Sequence, residues 1–206
     1  MSKDRKQVVV IGGGDVFVSY DQWLQFLKEE KEPRFDTLMD EDWKDILQDS
    51  LGDKYAVIIP SMPNKQNAKY QEWKIWFEKH IPHFDDEIVL VGHSLGGIFL
   101  AKYLSENEYP KNIPAVFLVA APFDTEGVDY TLGDFALPDD LSMFGDQVGS
   151  IYLYQSKDDP VVPHEDVTKY SNQLPQADKH IFADRGHFSG ELPEIADDIT
   201  SVRWSQ

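Results

Sequence analysis

The sequence predicts an α/β protein, a single layered domain with a parallel sheet sandwiched between helices. Three observations lead there. Six short β-type runs stand out, and most are continuously apolar rather than alternating, as strands covered on both faces are. Helix-period patterns lie between several of them, giving strand–helix alternation with right-handed crossovers. No linker, repeat or low-complexity tract divides the 206 residues, so the whole of 1–206 reads as one domain.

The elements follow in order. A polar lead-in, MSKDRK, runs into the first strand, QVVVI at 7–11, and then into a glycine-rich turn, GGGD. DQWLQFLKEE (21–30) is a helix with Trp23, Phe26 and Leu27 on one face. DEDWKDILQDSL (40–51) repeats the pattern with Trp43, Ile46 and Leu47, and YAVIIP (55–60) is the second strand. The helix at 68–81 places Tyr70, Trp73 and Phe77 together and stops at Pro82; its stripe Trp73/Trp76/Phe77 is expected to be core. The third strand is EIVLVG (87–92), the next helix SLGGIFLAKYLSENE (94–108), and the fourth strand AVFLVA (115–120). Residues 122–149, rich in Gly, Pro and Asp, read as an irregular excursion with one short helix at 138–144, a lid or pocket wall. SIYLYQ (150–155) and KHIFA (179–183) complete the strands, and 190–204 forms a last helix.

Composition excludes several function classes. With no cysteine there is neither a disulfide framework nor a thiolate nucleophile or metal ligand. A net charge of −18 argues against nucleic acid, which requires clustered Lys and Arg. No segment has the roughly 18 apolar residues of a membrane span, and the charged N-terminus lacks the apolar region of a secretory leader. The default expectation is a cytoplasmic protein. The six histidines offer no H-x-x-x-H or H-E-x-x-H pair, so no metal is expected.

The strongest chemical signal is VGHSLGG, Val91 to Gly97, a G-x-S-x-G with Ser94 at its centre, preceded by a strand and followed by a helix. A serine on so tight a turn needs glycines at 92 and 96, where side chains would collide with strand and helix. The helix N-terminus offers the Leu95 N–H and a partial positive charge to a developing oxyanion. A serine hydroxyl also needs a base, and the base an orienting acid. The loop after the fifth strand reads SKDDPVVP, where Asp158 and Asp159 compete and Asp124 is a distant third. Asp159 is favoured because it precedes Pro160, which stiffens the turn. His187, in ADRGHF beyond the sixth strand, is the candidate base. His93, inside the turn, is expected to point away from Ser94 and pack.

GGGD, GHSLGG, SKDDPVVP and ADRGHF, in this order, resemble the α/β-hydrolase superfamily, and within it the small serine hydrolases related to retinoblastoma-binding protein 9. The resemblance implies a six-stranded parallel sheet in the order 2-1-3-4-5-6, with little or no cap. It also implies the roles of Ser94, His187 and Asp159 as a triad, and no cofactor is expected. Segments 31–54 and 122–149 depart from the family and can reshape the pocket.

These readings combine into acyl transfer to water on a small-molecule acyl substrate, an ester, thioester or activated amide. Leu95 with Gly13 or Gly14 would form the oxyanion hole, and Phe17, Trp23, Phe123 and Phe188 would wall the pocket. Two other classes compete. A non-catalytic interaction protein on the same scaffold, its protein partner unknown, is disfavoured by the intact set of motifs. A dinucleotide site at VVVIGGGDVF fails because Phe17 stands where the third Gly of G-x-G-x-x-G belongs, and no ribose-binding acid follows about 20 residues on. Asp15 is then expected to brace the loop.

Overall fold

The computed structural model describes residues 5–30 and 42–205. Its six strands are β1 (Lys6–Ile11), β2 (Tyr55–Ile58), β3 (Ile88–His93), β4 (Ile113–Val119), β5 (Val148–Ser156) and β6 (Asp178–Phe182). They form one sheet in the order β2-β1-β3-β4-β5-β6, every pair parallel. β1, β3 and β4 lie inside the sheet and are buried almost throughout, which accounts for their continuous apolar sequences. Because all strands run one way, the loops that follow them converge on the carboxyl edge, where open α/β sheets bind ligands.

Two apolar cores flank the sheet. On one face α3 (Tyr70–His80), α4 (Leu95–Glu106), α5 (Ser142–Asp146) and α6 (Asp166–Gln173) bury Trp73, Phe77, Phe99, Phe144 and Tyr170. On the other, α2 (Trp43–Leu51) and α7 (Pro193–Ser201) bury Trp43, Leu47, Phe188, Ile195 and Ile199. α2 starts at Asp42, whose carboxylate caps the helix in a box with Asp45. The expected start of this helix at 40 and 41 lies outside the described residues. α1 (Tyr20–Glu29) is different in kind: it buries no residue, and Leu27 is half exposed. Its aromatic residues pack on Phe17 instead, at 5.1 Å (Trp23) and 5.2 Å (Phe26) between ring centroids.

Two expectations are corrected here. Trp76 is 40% exposed and lies outside the core, while Trp73 and Phe77 are fully buried. The short helix expected at 138–144 begins instead at Ser142, after a turn closed by the Asp140 carboxylate, which accepts the Ser142 N–H at 2.8 Å. The excursion around it is pinned by Leu132, Phe135, Leu141 and Phe144, all in the core. No helix among the described residues is long and apolar enough to cross a membrane.

Candidate active site

Ser94 sits between β3 and α4 with φ 55° and ψ −123°, a conformation rare for any residue with a Cβ. Its N–H donates to the Val119 carbonyl at 2.8 Å, pinning the turn to β4. A Cβ at Gly92 would lie 2.5 Å from the Gly96 carbonyl oxygen, so the turn closes only without one. The helix it opens, α4, directs its N-terminal N–H groups and partial positive charge toward the same edge.

The loop after β1 lies against this turn. The added Cβ position at Gly13 is 3.6 Å from Ser94 Oγ, which places the Gly13 backbone beside the hydroxyl. The N–H groups of Gly13, Gly14 and Leu95 have no hydrogen-bond partner among the described residues. The backbone of Asp15 braces the loop: its N–H donates to Lys65 O and its carbonyl accepts from Ala68 N, both at 2.8 Å. A Cβ on Gly14 would come within 2.4 Å of that same Lys65 oxygen.

Asp159 and His187 meet across the loops after β5 and β6. His187 Nδ1 lies 3.1 and 3.0 Å from the two oxygens of Asp159, whose side chain is completely buried. The same carboxylate accepts the N–H groups of Val161 and Val162 at 2.8 and 3.0 Å, so the turn through Pro160 holds it inward. Asp158 faces elsewhere. Its Oδ1 accepts from the Ser156 hydroxyl at 2.6 Å and the Gly186 N–H at 2.9 Å, and these hydrogen bonds hold its carboxyl below the usual range. It thereby braces the turn that carries His187. Asp124 is paired with Lys169 at 2.7 Å. Among the described residues no hydrogen bond joins the Ser94 hydroxyl to the His187 ring.

His93 does more than pack. Its ring is buried; Nε2 donates to the His187 carbonyl at 2.9 Å, and Nδ1 lies 3.4 Å from Lys44 Nζ. Burial, then the Lys44 charge and the nearness of His187, hold its imidazole well below the ordinary value of 6.5. In the unfolded chain the same ring takes up a proton below about 6.5, so there the unfolded state binds more protons and stability drops as the pH is lowered. At pH 5.5 the loss relative to pH 7.5 should approach about 1.4 kcal/mol. Urea titrations at the two values should show this loss in the wild type and its absence in His93→Gln; parallel losses would mean that His93 is not the group responsible.

A cleft of about 550 Å³ opens beside Ser94; Phe17, Phe26, Tyr130 and Leu132 wall one part of it, and Gln25, Glu29 and Asp129 make another part polar. Of the four expected pocket residues, only Phe17 lines it. Trp23 packs behind, its ring centroid 5.8 Å from that of Phe26. Phe123 walls a separate cavity of about 460 Å³, which shares Thr131 and Leu132 with the cleft. Phe188 is buried in the α2/α7 core against Phe182 and does not reach the cleft. Phe26, Tyr130 and Leu132 were missed because α1 and the excursion fold back over the sheet edge, a long-range arrangement without a local pattern.

Comparison with known proteins agrees with this architecture. The model of the Serine hydrolase family matches residues 33–197. The serine hydrolase RBBP9 of Rattus norvegicus is 24% identical over 207 residues, covering 98% of this chain and 97% of that protein. The crystal structure of the ydeN gene product from B. subtilis superposes with a TM-score of 0.69 at 21% identity, covering 95% of this chain and 97% of the other. Est1E from Butyrivibrio proteoclasticus gives 0.60 at 14% identity, covering 96% and 86%. The fold is that of the α/β hydrolases.

Proposed function

Because this chain belongs to the Serine hydrolase family, we propose that it hydrolyses esters or thioesters of small apolar acyl groups through an acyl-enzyme on Ser94. The observation that carries this reading is the contact between His187 and the buried Asp159 carboxylate, set in loops that converge on the Ser94 turn. Activated amides are a further substrate class within the same chemistry, and carboxylesterase activity is the leading form within it.

The steps follow from the atoms. With Nδ1–H donated to Asp159, the lone pair of His187 Nε2 is free to take the Ser94 proton as Oγ attacks the carbonyl. Substrate binding closes the remaining gap between hydroxyl and ring, as catalytic hydrogen bonds tighten in the complex. The oxyanion is met by the unpartnered N–H of Leu95 and that of Gly13 or Gly14. His187 then protonates the leaving alcohol or thiol, and a water attacks the acyl-enzyme with the same base assisting.

The aromatic and aliphatic part of the cleft makes acyl-chain length the variable to test. In a series of p-nitrophenyl esters, Phe26→Ala should shift the preferred chain toward longer acyl groups. The change in relative kcat/KM should be about tenfold for a chain one or two methylenes longer. Aryl esters and aminoacyl amides complete the panel. An unchanged preference in Phe26→Ala would remove the cleft from substrate selection.

A further inference from the structure

We infer that the start of α2, Trp43 and Lys44, is a positioning device for the His187 loop, acting partly through His93. Two consecutive carbonyls of that loop are gripped by ring N–H donors from separate elements. His93 Nε2 holds His187 O at 2.9 Å, and Trp43 Nε1 holds Phe188 O at 3.1 Å, the latter bond fully buried. The segment between them needs holding, because Phe188 has φ 53°, unusual for a residue with a bulky side chain.

His93 can donate to a carbonyl only while its proton sits on Nε2. Lys44 enforces that tautomer: its ammonium is a donor without acceptor capacity, aimed at Nδ1. Lys44 is in turn held by Asp42, the capping residue of α2. Without the ammonium the ring is free to place its proton on Nδ1, and the Nε2 lone pair would then oppose the His187 carbonyl. Since His93 directly precedes Ser94, the chain Asp42–Lys44–His93–His187 locks the loop of the base to the turn of the nucleophile. His93 and Trp43 touch the loop backbone, and Lys44 touches only His93 and the start of α2, so their role is to position rather than to react.

The inference rests on the reading of His187 as base, and the experiment separates the two. Steady-state hydrolysis of a p-nitrophenyl ester is measured for Lys44→Met, Lys44→Arg, His93→Leu, His93→Gln and His187→Gln, with side-chain ¹⁵N spectra reporting the His93 tautomer. Lys44→Met should lower kcat about ten- to a hundredfold, leave KM within about twofold and give mixed tautomers, while Lys44→Arg restores kcat. His93→Gln, whose amide N–H replaces the Nε2 donor, should retain far more activity than His93→Leu. Trp43→Phe, which removes one N–H and little volume, should lower kcat several-fold with an unchanged circular dichroism spectrum. A wild-type kcat in Lys44→Met, or equal losses in His93→Gln and His93→Leu, overturns the positioning role. If His187→Gln is inactive in that case, the base assignment stands; if His187→Gln is active, the base assignment itself fails.

Discussion

Ser94→Ala should lose roughly 10⁴- to 10⁶-fold in kcat/KM and all labelling by a fluorophosphonate probe, while remaining folded. In the proposed mechanism the alcohol oxygen is the atom that forms the covalent bond, beside the backbone of Gly13 and the N–H of Leu95. Ser94→Gly separates chemistry from strain. At φ 55° and ψ −123° any side chain is held against its backbone preference, at a cost of about 1–3 kcal/mol. Alanine keeps that cost and glycine removes it. Ser94→Gly should therefore be more stable than Ser94→Ala by about 1 kcal/mol in urea unfolding, though equally inactive. Stoichiometric labelling of Ser94→Ala would move the nucleophile elsewhere. Equal stability of the two variants would mean that the turn stores no strain.

That a conformation so costly could be located in the sequence at all is due to its glycines. Gly92 and Gly96 mark a turn with no room for side chains, and the strand and helix around it have strong periodicity of their own. The same kind of local signal located the six strands and their parallel sense, whereas their order came from the family resemblance. Asp159 could be separated from Asp158 because Pro160 biases the turn, and in the structure it is the Asp159 carboxylate that meets His187 and the two following N–H groups. Where sidedness depends on tertiary packing, local patterns were insufficient. Tyr70, Trp73 and Phe77 lie within an arc of roughly 60° on their helix, and Trp76 falls roughly 60° beyond one end of it. Phe99 and Tyr103 of α4 and Phe135 of the excursion pack on that arc, while Trp76 meets His80 at the surface. Phe188 adjoins His187 in sequence, but its positive φ turns the ring away from the cleft and into the core beside Trp43. α6, in DVTKYSNQ, carries just Val167 and Tyr170 as apolar signals and was not anticipated. Nothing in the spacing ties Trp43 to Phe188, which are 145 residues apart.

The glycines also allow a sharper test of how the site is assembled, because sequence alone gives no ranking among them. Gly96→Ala should be among the most damaging single substitutions in the chain. Its Cβ would lie 2.1 Å from the Ile11 carbonyl oxygen and 2.7 Å from that of Gly12. Both are backbone atoms at the end of a central strand, so no rotamer change relieves the overlap; α4 and β1 must separate. The loss should be about 3 kcal/mol or more, lowering Tm by about 6–12 °C in a domain of this size. Gly12→Ala is the control within the same contact, because nothing lies within 4 Å of its added Cβ and its φ is ordinary; its stability should stay within about 1 kcal/mol of wild type. The separation forced at Gly96 also moves Gly13 away from Ser94, so the Gly96 variant, held well below its melting temperature, should still hydrolyse esters more slowly than its folded fraction predicts. Activity that merely follows the folded fraction would mean that the β1 loop contributes no donor to the oxyanion. Full activity with undiminished stability would mean that α4 and β1 do not approach as closely as the turn requires.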